Sequence, residues 1–217
     1  MSSNHIEVLE KMQDVTVAIL AGGASKRFGA DKFTTTFHQK PLIAHMLEIA
    51  RTISPELLIV VSEEEQATKI KPLVKNVRVV TDPDGSIKSA LNGALTAFEY
   101  TSTQYTLLLP VDAPFTQPEL LKVLIRLSPG HGAVVPIWPS GYIEPIHSVY
   151  LAEHAYSKGL EIIESGQYRM SDLLKQIQHV LYISTETLKQ FDSELETFTN
   201  LNTQRDLKMA EKRHRTH

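Results

Sequence analysis

The residues with the most chemistry to offer lie in two short stretches, VTVAILAGGASKRFGADK at 15–32 and LLLPVDAPF at 107–115. In the first, an apolar run from Val15 to Leu20 stops at Ala21, Gly22 and Gly23, and Arg27, Asp31 and Lys32 follow. Glycines carry no Cβ, so backbone N–H groups from Ala21 to Ala24 can approach an anion closely. A guanidinium and an ammonium a few residues later neutralise what those amides cradle. The pattern predicts a phosphate-bearing ligand at the end of a buried strand. A plainer alternative is an ordinary strand-to-helix turn with solvated charges after it. Neither the G-x-G-x-x-G fingerprint nor the G-x-x-x-x-G-K-[ST] loop fits GGASKRFGADK. Asp31 is expected to orient Lys32 or Arg27 rather than touch an anion, because like charges repel. In the second stretch, Asp112 stands just past the most hydrophobic strand candidate, Tyr105 to Pro110. A carboxylate there suits a hard cation such as Mg²⁺, which takes carboxylate and phosphate oxygens and keeps several waters. The competing role is to cap the helix that starts near Pro118. The offset argues against it, since a cap bonds N–H groups two or three residues on.

These groups need a frame, and the hydrophobic periodicity supplies one. Val15–Leu20, Leu57–Val61, Val77–Val80, Tyr105–Pro110 and Gly132–Trp138 read as buried strands. Between them Pro41 opens a helix with Leu42, Ile43, Met46, Leu47, Ile49 and Ala50 on its apolar positions. Helices are likewise predicted over Glu63–Leu73, over SIKSALNGALTAFEYT from Ser86, and over Pro118–Leu127. This alternation implies a parallel sheet with right-handed crossovers. Asp112 then sits at the carboxyl edge of the sheet, where ligands bind in open α/β folds. Gly141–Tyr150 is expected as an antiparallel or edge strand. Leu151–Glu164 and Ser171–Gln178 read as helices, Val180–Ile183 as extended, and a short helix starts at Gln204.

Composition closes off several function classes. Of 217 residues, 42% are hydrophobic and 22% charged, with no repeat or linker, so one α/β domain over 1–217 is expected, with flexible ends at about 1–13 and 208–217. A net charge of −3 gives no general attraction to nucleic acid or an anionic membrane. Trp138 and the tyrosines do not interleave with a basic stripe either. Without cysteine there are no disulfides, thiolate metal sites or cysteine nucleophile, in keeping with a reducing compartment. The nine histidines lack metal spacing, which leaves a zinc hydrolase unsupported, and there is no G-x-S-x-G elbow. No apolar run approaches ~20 residues, and MSSNHIEVLEKMQD has no apolar core, so neither a membrane span nor a secretory signal is expected. The expected location is the cytoplasm.

The run from Leu20 to Lys32 fits L-A-G-G-x-S-x-R-x-G-x-D-K at every fixed position. On it the chain resembles the GT-A-like nucleotidyltransferases, and within them the molybdenum cofactor guanylyltransferases. Further stretches are similar to that family's motifs, in the same order: Asp82 with Gly85 and Gly93, Asp112 in LLLPVDAPF, GYIEPIHSVY at 141–150, and FTNLNTQRDL at 198–207. The resemblance implies an α/β three-layer sandwich of Rossmann-like, GT-A-like fold, with a mostly parallel central sheet and one antiparallel strand. It implies catalytic roles for Arg27, Lys32 and Asp112. Nucleotide binding falls to Leu20, Ala21, Gly22, Gly23, Lys32, Asp82 and Asp112. Glu144, Asn200 and Asn202 lie on the acceptor side, with Glu144 either contacting the acceptor or bracing Arg and Lys side chains. Mg²⁺ would be held by Asp112 and completed by Asn202, with Asn200 the second choice. Taken alone, Asn-x-Asn-Thr before a helix is also a capping pattern, and Asp82 is also a turn residue. The chain departs from the family pattern at Val111, where cysteine is common, at Ser86–Ser89, and at Gln204, where proline is usual.

The activity implied is Mg²⁺-dependent transfer of GMP from GTP to molybdenum-bearing molybdopterin, with release of pyrophosphate. Implied partners are GTP, the molybdopterin-type acceptor and proteins that insert or deliver the cofactor. Two alternatives stand beside it. One keeps the fold and transfers a cytidylyl group, or acts on a sugar or alcohol phosphate. The asparagines at 200 and 202 speak for guanine, since cytidylyl relatives commonly have aspartates there. The other is a non-catalytic nucleotide-binding delivery protein, which the retention of Arg27, Lys32, Asp112 and Asn202 argues against.

Overall fold

The computed structural model describes residues 14–22 and 31–213. Strands β1 (Val15–Leu20), β4 (Leu57–Val61), β5 (Arg78–Thr81), β6 (Tyr105–Pro110), β7 (Ala133–Ile137), β8 (Ser148–Leu151) and β9 (Val180–Ser184) form one sheet. Its order is β5-β4-β1-β6-β8-β7-β9. All pairings are parallel except those of β8, which runs antiparallel to both β6 and β7. This is the mostly parallel sheet with a single reversed strand that the sequence implied. A two-residue hairpin, β2 (Thr36–Phe37) with β3 (Lys40–Pro41), lies outside it and was not anticipated.

Helices cover both faces, giving three layers. Val17 and Ile19 of β1 point to the face packed by α1 (Leu42–Arg51), α2 (Glu64–Ile70) and α4 (Pro118–Arg126). Ala18, between them, points to the face packed by α3 (Ala90–Tyr100), α5 (Ala152–Glu164) and α6 (Met170–Gln176). The period-two alternation thus divides each central strand between two cores, which is why these strands read as continuous apolar runs. Beyond the short α7 (Thr185–Leu188), a third, smaller cluster of Phe37, Leu42 and Leu201 seats Leu207 and Ala210 of α8 (Gln204–Arg213).

Several sequence expectations need correction. The 141–150 strand is only Ser148–Leu151; it is antiparallel, one of the two expectations, but lies inside the sheet and not at its edge, with Val149 and Tyr150 fully buried. Residues 141–147 turn instead, touching the sheet through one bridge between Ile137 and Ile143. The helix read from Ser86 begins at Ala90, because the Ser89 hydroxyl accepts from Asn92 N–H and caps it there. The helix read over 63–73 ends at Ile70, and Lys71–Leu73 tightens into a 3₁₀ turn containing Pro72. Of the end expected to fray, 208–213 is helical as part of α8. The rest of the ends expected to be flexible, 1–13 and 214–217, lies outside the described residues.

Candidate active site

Four neighbouring strands, β5, β4, β1 and β6, end together, and a cavity of about 360 Å³ opens over their carboxyl ends. Its walls include Leu20 at the end of β1 and Gly22 just past it, Ser62 after β4, Asp82 after β5 and Asp112 after β6. The N-terminus of α3 closes one side with Lys88, Ser89 and Gly93. Gly22 is required here by packing. Ser62 donates its hydroxyl to the Gly22 carbonyl at 2.6 Å, and a Cβ on Gly22 would lie 2.3 Å from the Ser62 hydroxyl oxygen and 2.5 Å from the Ser62 backbone nitrogen.

Lys32 opens a single 3₁₀ turn, Lys32–Thr34, pinned by the fully buried Phe33. Its Nζ donates to Asp112 Oδ2 and, at 2.7 Å, to Asn202 Oδ1. Groups 80 and 170 residues away along the chain therefore meet at one ammonium. Backbone hydrogen bonds fix their supports. Val111 N–H donates to the Leu20 carbonyl at 3.1 Å and Leu201 N–H to the Asp112 carbonyl at 2.8 Å. The buried Thr197 adds a second tie, its hydroxyl accepting from Gln117 N–H at 3.0 Å.

The capping question resolves into a division of labour. Thr203 caps α8 by accepting from Asp206 N–H, and Asp206 reaches back to Asn202 N–H, so the Asn202 side chain is left for Lys32. Asn200 faces elsewhere. It lines a second cavity of about 530 Å³ beside α8 with Phe115 and Met209, and its buried Oδ1 has no hydrogen-bond partner. Asp112 does not cap α4, whose N-cap is Gln117.

Other expected residues are placed differently from the reading above. Ala21 N–H is committed to the Val60 carbonyl at 2.7 Å, extending the β1–β4 ladder, so it is not a phosphate donor. Among the described residues Asp31 does not orient Lys32, and the alternative partner, Arg27, lies outside them. The Asp31 carboxylate takes Gln66 Nε2 at 2.9 Å and Lys69 Nζ at 3.2 Å, tying the loop to α2. Asp82 accepts from the Thr96 hydroxyl at 2.7 Å, and burial pushes its carboxyl above the usual range while the Thr96 and Ser62 hydroxyls pull the other way. Glu144 braces no Arg or Lys among the described residues. It accepts from the Trp138 indole at 2.8 Å, and burial again raises its carboxyl. It is not part of the cavity wall, whereas Ile146 is. Gly23 and Arg27 lie outside the described residues. Ser62, Lys88 and Ser89 were missed. The logic that singled out Asp112, a polar residue just past an apolar run, finds Ser62 after LLIVV as well.

The donor set fits a hard cation. One carboxylate and one amide oxygen converge on a point that already holds a positive charge. Among the described residues no three His, Cys, Asp or Glu side chains form a metal cluster, so an ion here would draw its remaining ligands from water and phosphate, as Mg²⁺ does. No described helix is long and apolar enough to cross a membrane.

Comparison with known proteins agrees with this geometry. The family model of the MobA-like NTP transferase domain matches residues 17–180. A probable molybdenum cofactor guanylyltransferase of Natranaerobius thermophilus is 32% identical over 92% of this chain and 96% of its own length. One from Methanosarcina mazei is 27% identical over 87% of this chain and 86% of its own length. The solved structure of molybdopterin-guanine dinucleotide biosynthesis protein A from Archaeoglobus fulgidus superposes with a TM-score of 0.80 at 28% identity, over 93% of this chain and all of that one.

Proposed function

The chain belongs to the family of MobA-like NTP transferases, and from that premise we propose that it transfers GMP from GTP to molybdenum-bearing molybdopterin. In this reaction an oxygen of the acceptor's phosphate monoester attacks the α-phosphorus of GTP. The new P–O bond forms as the bond to the β-phosphate oxygen breaks, and pyrophosphate leaves. The nucleophile is already anionic at neutral pH, so no serine or general base is demanded of the protein. The work left is positioning and neutralisation of charge.

The convergence of Lys32, Asp112 and Asn202 at the sheet edge carries this reading. The cavity beside them has room for a nucleotide's phosphates against the capped N-terminus of α3, an end that favours anions. Lys32 would meet the triphosphate and steady the charge that builds on the leaving pyrophosphate, and Arg27 is assigned the same duty from its place in the motif. Gly22 lets the backbone run close under Ser62, keeping the cavity floor low. Asp112 and Asn202 would hold Mg²⁺, which supplies Lewis-acid neutralisation of the phosphates when bound. A protein of this activity without cysteine is assigned to the cytoplasm, and it hands its product to proteins that insert the cofactor.

The test mixes purified protein with GTP, Mg²⁺ and the molybdenum pterin and follows pyrophosphate. The expected result is release that disappears in Asp112→Ala. Release from CTP in preference to GTP would move the assignment to cytidylyl transfer. GTP binding with no release at all would leave a delivery protein.

A further inference from the structure

We propose that Lys32 keeps the metal oxygens closed until a triphosphate arrives, so that the divalent ion enters with the nucleotide and not before it. This rests on the reading of Asp112 and Asn202 as the protein's two metal ligands. One oxygen of each, Asp112 Oδ2 and Asn202 Oδ1, already receives the Lys32 ammonium. A cation approaching the same point meets a like charge and lone pairs already engaged. The pairing also spares Asp112 from standing as a bare, largely buried carboxylate.

The arm has somewhere else to go. Lys32 lines the cavity shared with Gly22, Ser62 and Ser89, while its backbone is pinned by Phe33 in the 3₁₀ turn. Only the methylene stem has to swing. A triphosphate in that cavity offers Nζ several anionic oxygens at once, and it prefers the state in which Lys32 faces the cavity. That differential affinity is what a shift of population requires. Lys88 supplies the contrast within the same wall, since it is a lysine engaged by Glu63 instead. Lys32 is thus a positioning residue for the metal as well as a phosphate contact, and it makes one event conditional on the other.

The experiment titrates Mn²⁺ into the purified full-length protein without nucleotide and reads the free ion by electron paramagnetic resonance. Lys32→Met should bind Mn²⁺ roughly tenfold more tightly than wild type, within the usual range for coupling between sites. Lys32→Gln gives the same reading if the methionine variant does not fold. Lys88→Met should match wild type, and Asp112→Asn added to Lys32→Met should abolish the gain. Equal affinity in wild type and Lys32→Met overturns the proposal, as does an equal gain in Lys88→Met, which would reduce the effect to general charge. A gain that survives Asp112→Asn would place the ion elsewhere and overturn the metal reading itself.

Discussion

Asp82 and Asp112 occupy matching places in the fold and are treated in opposite ways. Each is a buried aspartate just past the carboxyl end of a parallel strand, and each lines the same cavity. Asp112 is met by an ammonium and has an amide oxygen beside it. Among the described residues Asp82 is met by hydroxyls only, and burial raises its carboxyl. Position at the sheet edge therefore brings a carboxylate to the cavity without deciding its work, and the facing side chains divide the roles. One carboxylate is paired with the Lys32 ammonium. The other ties the turn after β5 to α3 through Thr96.

The largest expected effect separates the two in turnover. Asp112→Ala should lower the rate of pyrophosphate release by on the order of a thousandfold, the scale of a lost metal ligand, whereas Asp82→Asn should change it far less. Similar losses in both would erase the distinction. The next effect extends the comparison to a base. His147 is buried against Phe198, and burial pulls its imidazole down to about 3 from its ordinary 6.5. Below 6.5 the unfolded chain takes up a proton that the folded chain refuses, so His147 stabilises the fold above that pH and loses its contribution as pH falls toward about 3. Melting temperature followed over that window should fall less steeply in His147→Gln than in wild type, by up to about 1.4 kcal/mol per pH unit in stability. Parallel curves would contradict it. The smallest effect concerns Asp82 itself. A raised carboxyl contributes stability below its unfolded value and loses it as pH rises through the folded one. Asp82→Asn should therefore gain in melting temperature relative to wild type on going from acid to neutral pH. A gain in the reverse direction would mean that the hydroxyls outweigh burial.

The parts legible in the sequence were those set by local pattern. YTLLLP followed by an aspartate announced both a central strand and a group at its edge, and the crossovers followed from alternating strands and helices. Asn202 was legible only through the family motif, because an asparagine before Thr203 looks the same whether it caps a helix or reaches a distant lysine. What decided between them was that Asp206 and Thr203 cap α8 without it. The commitment of Ala21 N–H to Val60 depends on the register of β1 against β4, which no local pattern carries. The same holds for Asp31, which looks like a neighbour of Lys32 in the sequence and serves Gln66 and Lys69 in space. Glu144 pairs with Trp138 because residues 138–147 turn back on themselves, whereas alternation alone suggested an extended strand.

The central claim is that three widely separated residues make one centre, and a double-mutant cycle in pyrophosphate release tests it most directly. If Asp112 and Asn202 act on one ion beside Lys32, the double variant Asp112→Ala/Asn202→Ala should release pyrophosphate little more slowly than Asp112→Ala alone, as expected for residues that act as a unit. Losses that multiply, with each substitution costing the same factor in either background, would contradict a shared centre.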